Sequence, residues 1–152
     1  MSDTMPLILL SSGGTGGHMM PAIALAQDLL SRGYQVEIAT DPRCRHYKEL
    51  YPELSFHVLS SGTLGKGLIK KMTGAIKLGI GLIKARALVK RLQPKVVVGF
   101  GGYPSFPCVY AAQGLKIPTI IHEANAVLGK ANAYLATKAD RIALSLPNMR
   151  SV

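Results

Sequence analysis

Residues 11–18 read SSGGTGGH: four glycines and a threonine, ending on an imidazole. Glycine lets the backbone come close to a ligand. A helix that starts from such a turn offers unpaired N–H groups and a positive dipole end to an anion. The stretch GGTGG is therefore read as a cradle for a diphosphate, since a connection that held nothing would not need four glycines. His18 adds a titratable group beside the cradle, placed for general-base work. Spacing alone leaves a second role equally open, in which His18 only hydrogen-bonds the loop or caps the helix.

Two further stretches add to this one. GFGGYPSFP (99–107) is a second glycine-rich loop, and HEAN (122–125) is a polar cluster. What the first loop lacks narrows the kind of phosphate site. No Lys follows it, which excludes the nucleotide loop G-x-x-x-x-G-K-[ST]. The dinucleotide fingerprint G-x-G-x-x-G is met at Gly14 and Gly16, but Met19 stands at its third position. Asp41, after the second predicted strand, sits roughly where a ribose-binding acid would. That keeps a dinucleotide-binding domain as an alternative.

The elements that must position these stretches follow from periodicity and punctuation. Met5–Leu10, Tyr34–Thr40, Phe56–Leu59, 95–100, 118–123 and 141–145 read as strands. Pro21–Arg32, Gly67–Leu92, Ser105–Gln113 and Gly129–Lys138 read as helices, with Pro21 in a first turn and Gly33 as a stop. Strands alternating with helices predict an α/β fold, a parallel sheet with helices on both faces. All three polar stretches then fall at carboxyl ends of strands, where such sheets bind ligands.

Together, GGTGGH, GFGGYPSFP and HEAN with the following LGKANAYLA resemble the N-terminal domain of the MurG family, glycosyltransferase family 28. The resemblance runs from about Pro6 to Leu146. It implies a Rossmann-like domain forming the N-terminal half of a GT-B glycosyltransferase, with the C-terminal donor-binding domain outside the 152 residues of this chain. The reaction implied is an inverting transfer of N-acetylglucosamine from UDP-N-acetylglucosamine to lipid I, the undecaprenyl-diphosphate-linked muramyl pentapeptide. The product is lipid II of peptidoglycan synthesis. By the same resemblance, Gly13, Gly14, Thr15, Gly16 and Gly17 hold the acceptor diphosphate, helped by Gly101, Gly102, Tyr103 and Ser105. His18 is the candidate base. Thr15, His18 and Asn125 approach the donor sugar, and Glu123 orders its loop. The family usually reads HEQN, so Ala124 removes any contact the Gln would make. No D-x-D motif is present, so neither a protein-bound metal nor a cofactor is expected. Without a donor half the chain alone is not expected to turn over.

Composition bounds the remaining readings. The 48% hydrophobic and 17% charged content suits a globular domain. Cys44 and Cys108 are expected as free thiols in a reducing compartment. The N-terminus lacks the basic region of a signal peptide, and no run of about 18 apolar residues suggests a membrane span. The net charge is +10, and ten of the eighteen Lys and Arg lie between Glu53 and Glu123, a span without carboxylates. Such a field attracts anions. Within it, Ile69, Met72, Ile76, Ile80, Ile83 and Ala87 are predicted to form the core stripe of the long helix. Lys70, Lys77, Lys84 and Arg91 recur every seven residues on the other side, beside Leu78, Leu82 and Val89. Lys70, Lys77, Leu78, Leu82, Lys84 and Arg91 are thus read as contacting an anionic membrane surface. The family places this at the cytoplasmic face of the bacterial inner membrane. Gly74, Gly79 and Gly81 weaken the helix and leave room for two shorter ones. A non-catalytic module binding polyprenyl diphosphate or anionic membrane stands as the alternative function. Nucleic acid is not an expected partner, because Phe100, Tyr103 and Phe106 lie too close to the glycine loop to form a stacking platform.

Overall fold

The computed structural model describes residues 5–59 and 68–147. Six strands, β1 (Leu7–Ser11), β2 (Gln35–Thr40), β3 (Ser55–Val58), β4 (Val96–Gly99), β5 (Thr119–Glu123) and β6 (Arg141–Leu144), form one sheet. Every pairing is parallel, in the order β3-β2-β1-β4-β5-β6. The connecting helices are α1 (Gly16–Ser31), α2 (Tyr47–Leu50), α3 (Leu68–Leu92), α4 (Phe106–Gly114) and α5 (Lys130–Ala136). The short helix α2 and the 3-10 turns at Pro42–Cys44 and Tyr103–Ser105 are absent from the sequence-based expectation; the other elements match it within a few residues.

Side chains alternate along the buried strands, so both sheet faces carry a core. Ile8, Leu10, Val36, Ile38 and Val98 pack on one face under Met19, Ala22, Ile23 and Ala26 of α1. Leu9, Val97 and Ile121 pack on the other under Ala85, Leu88 and Val89 of α3, Cys108 and Val109 of α4, and Leu135 of α5. The strand order reverses between β1 and β4. The loops after those two strands therefore diverge to opposite faces and leave a crevice at the carboxyl end of the sheet.

Two expectations about the helices are corrected. Helix α1 begins at Gly16, inside the glycine stretch, with Thr15 in extended backbone as its N-cap. His18 thereby belongs to the first turn. Pro21 lies inside the helix, where its missing N–H removes one ladder bond. The end matches expectation: Gly33 at φ +87° lets its own N–H reach Leu30 O and that of Tyr34 reach Leu29 O.

The second correction concerns α3, one continuous helix over Leu68–Leu92 whose buried face is the reverse of the one expected. Met72, Ile76, Ile80 and Ile83 are 59%, 60%, 43% and 71% exposed. The face turned inward carries Gly74, Gly81, Ala85, Leu88 and Val89, with Leu78 and Leu82 half-buried at its margin. Ala85, Leu88 and Val89 pack with α4, and the larger Ile and Met side chains are left outside. Lys77, Lys84 and Arg91 remain exposed. The side chains of Ile69 and Lys70 lie outside the described residues. No helix among the described residues is long and apolar enough to cross a membrane.

Candidate functional site

The two glycine-rich loops meet at the crevice. The Phe100 N–H donates to Ser11 O at 2.9 Å, fastening the second loop to the end of β1. Gly101 has φ +87°, and a Cβ there would stand 3.2 Å from both Asn132 Nδ2 and His18 Cδ2. Backbone conformation and crowding therefore both require glycine at this position. A Cβ on Gly102 would come within 3.3 Å of Gly13 O and 3.6 Å of His18 Nδ1. The first loop, the second loop and the imidazole are thus in direct contact.

His18 is half-buried, with Nδ1 3.0 Å from Thr15 Oγ1. Capping and chemistry, alternatives in the sequence, are compatible here. A Nδ1–H donated to Thr15 leaves the Nε2 lone pair available. Tyr103 is exposed at the rim. Ser105, expected to help hold the anion, is instead fully buried, and its hydroxyl donates to Gly102 O at 2.9 Å. It shapes the loop from beneath and does not face the crevice.

The third stretch is tied down by Glu123, which is 2% exposed at the end of β5. One carboxylate oxygen accepts the N–H (3.0 Å) and Nδ2 (2.7 Å) of Asn125, the other the N–H of Gly129 (3.1 Å) and Nδ2 of Asn132 (2.9 Å). Burial pushes its pKa up, but the bonds from Gly129, Asn125 and Asn132 outweigh burial and hold it below the ordinary carboxylate value. The neighbouring His122 is held below the ordinary imidazole value, first by burial and then by His18, against the pull of Glu123. His122 Nε2 lies 3.1 Å from Ser145 Oγ, and its ring is 5.1 Å from that of Phe100.

A cavity of about 250 Å³ joins the pieces, lined by His18, Gly102, Tyr103, Asn125, Lys130 and Asn132 among others. Lys130 and the buried Asn132 are additions to the residues singled out from sequence. LGKANAYLA contains both, but only the turn of α5 back onto β5 brings Asn132 to Glu123. The other side of the first loop holds a further group. A Cβ on Gly14, at φ +87°, would stand 3.2 Å from Arg43 Nη2, and one on Gly16 would stand 3.6 Å from the Tyr47 hydroxyl. Arg43 Nε donates to Asp41 Oδ2 at 2.6 Å. Asp41 is 1% exposed. It is therefore engaged by Arg43 and does not present its carboxylate to a ribose, which removes a support of the dinucleotide reading.

Comparison with known proteins agrees with this geometry. The family model "Glycosyltransferase family 28 N-terminal domain" matches residues 8–144. The UDP-N-acetylglucosamine–N-acetylmuramyl-(pentapeptide) pyrophosphoryl-undecaprenol N-acetylglucosamine transferase of Rhodospirillum centenum is 51% identical over 149 residues, 98% of this chain and 39% of that protein. The enzyme of the same name from Sinorhizobium medicae is 49% identical over 138 residues, 90% of this chain and 37% of that protein. Among solved structures, MurG of Acinetobacter baumannii superposes with a TM-score of 0.80 at 32% identity, over 97% of this chain and 43% of that one. The Streptomyces glycosyltransferase SsfS6 shares the fold alone, with a TM-score of 0.60 at 20% identity over 86% of this chain and 44% of its own. The chain spans about two-fifths of the length of these curated relatives. With its parallel Rossmann-like sheet and paired glycine loops, the chain belongs to glycosyltransferase family 28, matching that family's N-terminal domain.

Proposed function

We propose that this chain is the acceptor-binding half of an inverting glycosyltransferase that moves N-acetylglucosamine from UDP-N-acetylglucosamine to lipid I. The observation that carries this is the meeting of two glycine loops against His18 where the strand order reverses. Gly13 to Gly17, with Gly101 and Gly102, offer backbone to the acceptor diphosphate, and Tyr103 closes the rim. The relatives' names specify a pyrophosphoryl-linked acceptor, which suits such a cradle. His18 Nε2 takes the proton of the acceptor hydroxyl as that oxygen bonds to the anomeric carbon. The bond from that carbon to the diphosphate of UDP breaks, UDP leaves with the electron pair, and the anomeric configuration inverts. Thr15 holds the imidazole through Nδ1. Thr15 and Asn125 lie near the donor sugar, with Asn125 steadied by Glu123.

The same reading places the domain on the anionic cytoplasmic face of the inner membrane, where a lipid-linked acceptor resides. Support comes from the outer face of α3, an apolar strip of Met72, Ile76, Ile80 and Ile83 with exposed Lys77, Lys84 and Arg91 on one flank and Arg86 and Lys90 on the other. Each cation near an anionic leaflet contributes on the order of 1 kcal/mol. This strip takes over the membrane-facing role assigned from sequence to Leu78 and Leu82.

Calorimetry of the chain with a water-soluble, short-chain lipid I analogue, beside UDP-N-acetylglucosamine, tests the proposal. Binding of the analogue with weak or no binding of the nucleotide sugar is expected. Tight nucleotide-sugar binding without analogue binding would overturn it.

A further inference from the structure

Both glycine loops offer a diphosphate only neutral backbone groups. A fixed positive charge beside them would add charge-assisted hydrogen bonds to a diphosphate bound there. Arg43 stands where such a charge would act. It lies on the 3-10 turn Pro42–Cys44 directly after β2, and the turn is held by Cys44 N–H donating to Asp41 O at 3.1 Å and by the buried Cys44 side chain. Its guanidinium is anchored through Nε to the buried carboxylate of Asp41, at 2.6 Å. That anchor uses one edge of the fork. The other edge carries Nη2, which stands over Gly14 at 3.2 Å from where a Cβ would be, while the side chain remains 55% exposed.

We propose that Arg43, oriented by Asp41 over Gly14, is the charged residue that binds the diphosphate at the first glycine loop. The planar fork suits the role. One edge is fixed by a buried carboxylate, and the Nη edge can donate two charge-assisted hydrogen bonds to phosphate oxygens. The pairing costs little rotamer freedom on binding, because the side chain is already held. Gly14 contributes by lacking a Cβ: one there would be strained at φ +87° and, at 3.2 Å from Nη2, would press on the guanidinium. The inference rests on the acceptor reading above and adds to it the residue that recognises charge. A diphosphate can also arrive within UDP-N-acetylglucosamine, so both sources are compared.

The test is calorimetry of the chain with the short-chain lipid I analogue and, separately, with UDP-N-acetylglucosamine, at several salt concentrations. Four variants are used: Arg43→Ala, Arg43→Lys, Asp41→Asn, and Asp41→Asn with Arg43→Ala. Arg43→Ala is expected to weaken analogue binding by about tenfold or more and to flatten its salt dependence. Arg43→Lys keeps the charge but loses the fork, and falls in between. Asp41→Asn loosens the anchor and is expected to weaken binding, by less than Arg43→Ala does. The double variant also removes the buried carboxylate that has lost Arg43, yet stays as weak as Arg43→Ala, because the charge over Gly14 is still missing. Arg43 would be only a partner for Asp41 if the double variant regained wild-type affinity. Unchanged affinity in a folded Arg43→Ala protein, checked by circular dichroism, would also overturn the proposal. In both cases the acceptor reading survives. Wild-type protein that binds only UDP-N-acetylglucosamine would overturn both.

Discussion

The carboxyl end of the sheet and the helix α3 use small residues in opposite ways. At the loops, Gly14, Gly101 and Gly102 adopt positive φ, and Gly101 and Gly102 also lie against groups that would meet a side chain. There the missing Cβ lets the two loops and His18 approach one another. In α3, Gly74, Gly81 and Ala85 are ordinary helical residues on the buried side, and Ala85 lies in one core cluster with Cys108 and Val109 of α4. The same composition brings two loops together in one place and lines the buried face of a helix in the other. Glycine thus marks close approach in both places, with a positive φ only at the loops.

The difference can be broken at its strongest point first. Val89→Asp puts a charge on the buried face of α3, where Val89 is fully enclosed. It is expected to cost more than about 3 kcal/mol in chemical denaturation, enough to unfold much of the protein. Next in size is Gly101→Ala, which combines a disfavoured φ with contacts at 3.2 Å to Asn132 and His18. A loss of about 1–3 kcal/mol in thermal unfolding is expected. Glu123→Gln follows. The folded state depresses the Glu123 pKa, so its contribution is fully present above the unfolded value near 4.5 and fades as the pH falls through the lower folded value. The variant should be less stable at neutral pH, by about 1 kcal/mol, and should lose less on acidification than the wild type. A matching acid response in both proteins would contradict the network drawn around Glu123. The smallest effect on folding belongs to Ile83→Glu on the outer face, within about 0.5 kcal/mol. Its effect should appear in co-sedimentation with anionic vesicles, which it weakens. If Ile83→Glu unfolded the protein while Val89→Asp did not, the two faces of α3 would be reversed.

The two regions also differ in how well they are read from sequence. GGTGGH, GFGGYPSFP and HEAN are legible because their constraint is local: a glycine at positive φ, a helix start, a polar residue at a strand end. Alternating strands and helices likewise suffice for the parallel sheet. The face of α3 was misread for a physical reason. Its Ile and Met stripe and its Gly and Ala stripe share the same helical period, and periodicity alone does not say which one a neighbour covers. The neighbour is α4, whose position depends on the strand order. Arg43 and Asn132 were missed for a related reason. Asp41-Pro42-Arg43 has no distinctive pattern, and only the passage of β2 beside β1 carries it to Gly14. Asn132 reaches Glu123 because α5 folds back along β5. The family resemblance implies Ser105 as a ligand contact, but its hydroxyl is turned inward to Gly102.

The central claim is that the first glycine loop, and not glycine content in general, holds the acceptor diphosphate. The most direct measurement is lipid I analogue binding by Gly14→Val beside Gly79→Val. A Cβ at Gly14 meets Arg43, whereas at Gly79 in α3 nothing lies within 4 Å. Binding should be abolished in Gly14→Val and unchanged in Gly79→Val, with both proteins folded. Analogue binding that survives in folded Gly14→Val would place the diphosphate elsewhere and contradict the account.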